Sequence, residues 1–207
     1  AIKRHPQINC VLRLGRLYQR KSISVFFQVA TDAGGEDLSG MTICDAPEKS
    51  LVQIAREIEE GVKKIRRKED ASYRKVKKVF DLIPAFLARW LLDTIGFISY
   101  SLNLWSPLFG TPKDAMGSVM VTNIGSLGLD MAFAPLVAYS RVPLIITMGN
   151  ATDRAVVSNG QITSAQMMKL CVTFDHRIMD GIHASKMAAA VKKCFANPEV
   201  ELGPVTK

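Results

Sequence analysis

The order of secondary-structure signals along the 207 residues predicts an α+β fold, in which helices pack on one mixed β-sheet. Strand patterns stand at both ends of the chain, and helical patterns fill its middle. Near the start, apolar residues on either side of a turn at Gly15-Arg16 predict a hairpin over residues 10–30. Near the end, residues 168–174 alternate apolar and polar side chains and lead into a final helix that begins near Gly181.

The elements between these ends follow from capping patterns and apolar spacing. The first helix is predicted to begin at Asp45, because Glu48 three residues later completes a capping box. Apolar residues then recur at helical spacing over residues 51–65, and further helix is predicted over residues 73–104. Short strands are expected over residues 41–44, 118–122 and 142–148, and a hairpin over residues 155–162.

The composition is typical of a soluble globular domain. Hydrophobic residues make up 48% of the chain and charged residues 22%, which excludes disordered, collagen-like and multi-span membrane proteins. The cysteines are too scattered for a CxxC pair or a zinc site, so we expect free thiols, no metal and a reducing, cytoplasmic compartment. They are Cys10, Cys44, Cys171 and Cys194.

Most of the positive charge lies in one short segment. The formal net charge is +8, and residues 63–78 hold nine bases and two acids, which gives +7. The rest is nearly neutral, so no nucleic-acid partner is expected. The basic run leads into the apolar residues 79–109, which are too polar and too broken by proline for a membrane span. Three interpretations stay open for the run: contact with an anionic membrane surface, binding of phosphates, or a solvated helix face.

The residues that carry chemistry directly follow the strand over residues 168–174. The string Asp175-His-Arg-Ile-Met-Asp-Gly181 places an imidazole at a strand end, where a sheet edge can present it to a pocket. Histidine is mostly neutral at pH 7 and is therefore a suitable general base. The charges of Asp175, Arg177 and Asp180 crowd one turn, so we expect them to pair and to fix it.

This string, of the form DHRxxDG, resembles the active-site signature of the acyltransferase catalytic domain in 2-oxoacid dehydrogenase complexes. That domain shares its fold with chloramphenicol acetyltransferase. A second stretch, Val119-Met-Val-Thr-Asn-Ile-Gly-Ser-Leu-Gly128, resembles the family's strand and loop ending in S-N-L-G, with Thr122 in place of the usual Ser. His5-Pro-Gln-Ile-Asn9 resembles the family's P-x-[IL]-N. The resemblance covers about residues 1–199 and implies a chloramphenicol acetyltransferase-like sandwich of a mixed β-sheet with packed helices.

The resemblance also implies an activity and a set of site residues. The activity is transfer of an acyl group between coenzyme A and a dihydrolipoamide-like thiol acceptor, with the coenzyme A thioester as substrate. His176 would be the general base, Thr122 the hydroxyl donor to the oxyanion, and Asp180 the residue that holds the turn. Asn123 and Gly125 are candidate substrate-binding residues, or serve only the turn. Active sites of the family lie between protomers of a trimer, so a homotrimer or a multiple of trimers is expected.

The sequence departs from the family in ways that shape the expected domain. A catalytic domain is expected over residues 1–200 and a tail over residues 201–207, with the opening strand and helix of the family domain missing before Ala1. A basic and hydrophobic helical insert is expected at about residues 66–113, as in stand-alone members without a lipoyl domain. No lipoyl group is expected on this chain.

Two classes of function stay open. The intact string after the last strand favours an acyltransferase, because a scaffold has no need of a base at a pocket. The alternative is a non-catalytic oligomeric scaffold, or a membrane-peripheral binding module, of the same fold. His183, just inside the final helix, could line the same pocket or be an ordinary histidine.

Overall fold

The structure, a computed structural model, describes residues 1–31, 38–67, 83–102, 104 and 114–203. Within them the strands are β1 (Cys10–Arg13), β2 (Arg16–Gln19), β3 (Val25–Ala30), β4 (Leu38–Ile43), β5 (Val119–Asn123), β6 (Leu144–Ser158) and β7 (Gln161–Phe174). The helices are α1 (Leu51–Arg66), α2 (Ala85–Gly96), α3 (Gly181–Ala196) and α4 (Pro198–Leu202).

Strands β3 to β7 form one mixed sheet in the order β4-β3-β5-β6-β7. Strands β3 and β6 run parallel to β5, while the outer strands β4 and β7 are antiparallel to their neighbours. Strands β1 and β2 form a separate antiparallel hairpin. A mixed sheet with packed helices confirms the predicted α+β class.

The first hairpin is shorter than predicted. Its second strand ends at Gln19 rather than at residue 30, and the chain then crosses into the main sheet as β3. The buried Asn9 holds this crossing, because its Nδ2 donates to the Ser22 carbonyl oxygen at 2.9 Å. A side-chain bond between distant positions therefore ends a strand that the local pattern would continue.

The predicted strands over residues 142–174 are instead one long hairpin. Strands β6 and β7 pair along almost their whole length and turn at Asn159 and Gly160, which both have positive φ. A register shift between Met148 and Ala151 keeps the strands paired through an irregular stretch. The sequence predicts separate elements here because its apolar alternation stops at this stretch.

Both faces of the central strands are covered by apolar side chains. On one face Val119 packs in a cluster with Met187 of α3 and with Met179, which is 2% exposed. On the other face Met120 packs with Ile145. Because successive strand residues point to opposite faces, β5 supplies both clusters. Burial of Met179 anchors the turn that follows β7.

The N-terminus of α1 differs from the predicted one. Its N-cap is Ser50, which accepts from the Gln53 N–H at 3.2 Å, while the Gln53 side chain accepts from the Ser50 N–H at 2.8 Å. Asp45 instead has a left-handed backbone, with φ of 50°, before a 3₁₀ turn. The prediction was wrong because Asp45 and Ser50 are each followed three residues later by Glu or Gln, and the pattern alone does not choose between them.

Most of the predicted insert lies outside the described residues. Its described part contains α2, which begins after Pro84 and is followed by a turn of π-helix at Phe97–Ser101. None of the helices in the described ranges is long and apolar enough to cross a membrane. The expected boundaries at residues 66–113 and 200 stay predictions.

Candidate active site

The turn after β7 is held by its own charged side chains and by the backbone. The Asp175 N–H donates to the Pro143 carbonyl oxygen at 2.9 Å, which keeps the turn against the start of β6. The Asp175 carbonyl oxygen accepts from the N–H groups of Ile178 and Met179 at 2.9 and 3.0 Å. Arg177 donates to the Asp175 carboxylate from its backbone N–H, Nε and Nη2, at 3.0, 2.9 and 2.6 Å.

These contacts perturb the ionisation of both partners. The Arg177 guanidinium bound to Asp175 lowers the pKa of that carboxyl, and the carboxylate in turn raises the pKa of Arg177. The Asp175 side chain is 15% exposed, whereas that of Arg177 is 69% exposed. The predicted pairing of charges in the turn is thus present for Asp175 and Arg177, and Arg177 is turned back onto the turn.

His176 itself is exposed on this turn. Its ring lies 6.1 Å from that of Phe174, centroid to centroid, at an interplanar angle of 33°. Among the residues that the structure describes, no side chain or backbone group is hydrogen-bonded to the His176 imidazole. Within the described chain both ring nitrogens are therefore without a hydrogen-bond partner, on a turn whose backbone is held by several hydrogen bonds.

Asp180 ends the turn and begins α3. Its Oδ1 accepts from the His183 backbone N–H at 3.0 Å and lies 2.7 Å from His183 Nδ1. Backbone donation from His183, followed by its side chain, lowers the pKa of Asp180. Within the described chain, Asp180 is therefore bound by His183 and not by Arg177. The sequence alone leaves two roles open for His183, although its position three residues after a capping Asp is a local signal of such a contact.

Thr122 lies near the end of β5, half-buried, and the loop after it folds back on β6. Asn123 Oδ1 accepts from the Gly125 N–H at 2.9 Å. A Cβ on Gly125 would lie 2.8 Å from the Gly149 carbonyl oxygen, so only glycine fits this close approach. Both candidate substrate-binding residues thus have a structural part in the loop, and contact with substrate stays a prediction.

Residues 129–132, which continue this loop, are held by contacts with β6 that the sequence does not predict. Thr147, which is buried, donates to the Ala132 carbonyl oxygen. Arg154 Nη2 lies 2.5 Å from Asp130 Oδ2, and the Asn150 N–H donates to the Leu129 carbonyl oxygen at 3.0 Å. No local signal could have found these pairs, because they join residues 15 to 24 positions apart.

The two candidate catalytic groups lie at different ends of the sheet. Phe174 pairs with Leu144 at the start of β6, and the chain then continues away from Thr122. Thr122 pairs with Thr147, three residues further along β6. At ~3.3 Å per residue and ~4.8 Å between strands, Thr122 is about 10 Å along and about 10 Å across from Phe174. One chain therefore does not bring the Thr122 hydroxyl to the His176 imidazole.

Comparison with known proteins agrees with these motifs. Residues 111–202 match the family model described as 2-oxoacid dehydrogenases acyltransferase (catalytic domain). The acetyltransferase component of the Bacillus subtilis pyruvate dehydrogenase complex is 33% identical over 92 residues, which cover 44% of this chain and 20% of that protein. The lipoamide acyltransferase component of the branched-chain α-keto acid dehydrogenase complex of B. subtilis is 24% identical over 194 residues, 93% of this chain and 35% of that protein.

A solved structure extends the likeness to the fold. Dihydrolipoamide acetyltransferase of Azotobacter vinelandii aligns with a TM-score of 0.66 at 21% identity, over 97% of this chain and 65% of that chain. The chain spans about a fifth to a third of the length of the two Bacillus relatives. Over residues 111–202 the chain is thus similar to the catalytic domain of 2-oxoacid dehydrogenase acyltransferases, and its fold is that of the solved Azotobacter structure.

Proposed function

We propose that this chain transfers an acyl group between coenzyme A and a dihydrolipoamide-like thiol. The observation that carries the proposal is the exposed imidazole of His176, presented on a turn fixed by Arg177, Asp175 and the backbone. Rigid presentation of a base lowers the entropic cost of reaching the transition state. The study of the Azotobacter protein concerned the role of a serine, a histidine and an asparagine in its catalytic mechanism. His176, in the DHRxxDG string, lies within the residues here that match the family model.

The proposed reaction is a thiol–thioester exchange. His176 takes the proton of the acceptor thiol, and the thiolate forms a bond to the thioester carbonyl carbon. Negative charge then develops on the former carbonyl oxygen, where a hydroxyl donor such as Thr122 is worth about 3 kcal/mol. Collapse of this intermediate breaks the original carbon–sulfur bond, and the departing thiolate takes the proton back from His176. The step needs no oxidant or reductant and runs in either direction.

A complete site in this proposal needs two copies of the chain. Thr122 and Phe174 are separated by about 10 Å in each of two directions within one chain, so the hydroxyl must come from a neighbour. Cyclic association places the same two surfaces together at every interface. We therefore propose a homotrimer or a multiple of trimers, as in the family that the sequence resembles.

The cellular setting is proposed from the thiols. All four cysteines, two of them buried, are free. Four free thiols in one chain are typical of a reducing compartment, and we therefore propose that the protein acts in the cytoplasm.

The test is an assay of acyl transfer from a panel of acyl-coenzyme A thioesters to dihydrolipoamide. We expect His176→Ala to lower the rate by about 100-fold or more, because general-base catalysis contributes about 10²- to 10⁴-fold. The fold should be unchanged in circular dichroism, since the side chain is exposed. His5→Ala, at a histidine outside the site, is the matched control and should react like the wild type. Wild-type rates in His176→Ala would refute the proposed role of the imidazole.

A second candidate function, a membrane-peripheral binding module, is favoured by α2. This helix exposes Phe86 and Trp90, at 69% and 73%, one turn apart. Exposed aromatic side chains on one face of a helix suit the interface of a bilayer. Sedimentation with anionic and zwitterionic vesicles tests it: binding to anionic vesicles that Trp90→Ala abolishes would support this function, and no binding to either vesicle would refute it.

A further inference from the structure

His183 makes a contact that the general-base role of His176 does not require. Its Nδ1 lies 2.7 Å from Asp180 Oδ1, while its backbone N–H donates to the same oxygen at 3.0 Å. The His183 side chain is 29% exposed and that of Asp180 is 49% exposed. His183 thus binds the Asp180 carboxylate through both its backbone N–H and its side chain.

The direction of the side-chain contact follows from the distances. The Asp180 N–H lies 3.4 Å from His183 Nδ1, a distance at which Nδ1 would be a poor acceptor. A carboxylate accepts only, so the 2.7 Å contact requires a proton on Nδ1. An Nδ1 that carries this proton cannot also accept from Asp180. The hydrogen bond is therefore the 2.7 Å contact between Nδ1 and Oδ1, and not the 3.4 Å contact with the Asp180 N–H. His183 can donate it both as the neutral Nδ1–H tautomer and as imidazolium.

This contact closes the C-terminal end of the turn that carries His176. The N-terminal end is closed by the bonds between Arg177 and Asp175. Met179, buried between the two ends, anchors the middle. Because the His176 ring has no hydrogen-bond partner among the described residues, its position depends there on the backbone of the turn and on its contact with the Phe174 ring.

We propose that His183 is a positioning residue: its Nδ1–H holds the Asp180 carboxylate and so fixes the turn from which His176 acts. The inference rests on the proposed acyl transfer for its catalytic consequence, but its structural part stands on the geometry of the turn. It assigns to His183 an action through Asp180 and no contact with substrate.

The test uses three substitutions of His183 in the full chain. Asparagine places its Nδ2–H group where His183 has Nδ1–H, whereas glutamine reaches the position of Nε2 and alanine reaches neither. His183→Ala and His183→Gln should lower kcat by about tenfold and leave KM for the acyl-coenzyme A thioester unchanged, because the base is misplaced while substrate binding is not. His183→Asn should restore kcat to within about twofold of the wild type. If kcat fell only because a variant is less stable, the order of kcat among the three variants would match the order of their melting temperatures. It would then not depend on whether the side chain has a donor at the position of Nδ1.

A second measurement does not depend on catalysis. Limited trypsin digestion, followed by mass spectrometry of the peptide that ends at Arg177, reports how often the turn opens. We expect faster cleavage there in His183→Ala than in the wild type, and wild-type cleavage in His183→Asn. Equal kcat and equal cleavage in wild type and His183→Ala, or no difference between His183→Asn and His183→Ala, would overturn the inference. A wild-type protein that transfers no acyl group would refute the proposed function alone, and cleavage after Arg177 would still decide the role of His183.

Discussion

The turn after β7 and the loop after β5 both leave the same sheet, but different chemistry holds each in place. In the turn, charged side chains bind one another: Arg177 holds Asp175, and His183 holds Asp180. In the loop, backbone groups bind β6, one ion pair joins Asp130 to Arg154, and Gly125 allows a backbone approach that no other residue would permit. The turn leaves its imidazole exposed, whereas the loop leaves Thr122 half-buried in the sheet.

The difference indicates that the turn after β7 responds more strongly than the loop after β5 to pH and to single substitutions. A turn held by side chains depends on pH and on single substitutions of exposed residues. The backbone bonds of the loop do not depend on pH, and its course depends on the space available at its glycines. Each of the two surfaces lies within one chain, and they lie far apart, so the proposed site requires that two copies bring these surfaces together.

The largest effect is expected when the two halves are supplied by different chains. His176→Ala and Thr122→Val should each lower acyl transfer by about 100-fold when assayed alone. Unfolding a 1:1 mixture and refolding it together should restore about a quarter of the wild-type rate, because each interface needs an intact His176 from one copy and an intact Thr122 from the next. The same proteins refolded separately and then mixed are the control. A co-refolded mixture no faster than its parents would contradict a site shared between copies.

A smaller effect is expected when the ion pair between Asp175 and Arg177 is removed from the turn. Asp175→Asn should lower the free energy of unfolding by about 0.5–1 kcal/mol at pH 7, since it weakens the bonds from the largely exposed Arg177. Arg177 lowers the pKa of Asp175 in the folded protein. The stability that the Asp175–Arg177 pair contributes is therefore complete above the pKa of Asp in the unfolded chain, ~3.9. It is lost as the pH falls through the lower pKa of Asp175 in the folded protein.

Urea unfolding of wild type and Asp175→Asn at pH 7, 5, 4 and 3 measures this dependence. The difference between them should be constant from pH 7 to 5 and should shrink below about pH 4. Asp153→Asn, at an exposed carboxylate outside the turn, is the matched control and should show little difference at any pH. A gap that widened toward pH 3 would contradict the pairing of Asp175 with Arg177.

The same contrast explains how far prediction from the sequence could reach. The turn after β7 was placed correctly, because strand alternation, the charged string and the N-terminal helix signal all lie within about 20 consecutive residues. The N-cap of α1 was misplaced, since Asp45 and Ser50 offer equivalent local patterns and only the left-handed backbone at Asp45 separates them.

Contacts between residues far apart in the chain could not be predicted from local patterns. The approach of Gly125 to Gly149 depends on the register of β5 against β6, which neither strand encodes by itself. The same register separates Thr122 from His176, and the resemblance to a trimeric family was what indicated a shared site. Local periodicity therefore predicts which groups stand at strand ends, while strand pairing decides which of them can meet.

The smallest expected effect separates two roles of Asn123 in the loop after β5. Asn123→Ala removes the Oδ1 that accepts from the Gly125 N–H, and we expect it to lower the free energy of unfolding by about 0.5–1 kcal/mol. Asn123→Asp keeps an acceptor at that position and should be as stable as the wild type in urea unfolding at pH 7. The aspartate lacks the Nδ2 donors, however, so any hydrogen bond that Asn123 gives to substrate would be lost and KM for the thioester would rise. If Asn123→Asp has both wild-type stability and wild-type KM, Asn123 serves the turn alone; if Asn123→Ala is as stable as the wild type, the bond to Gly125 does not hold the loop.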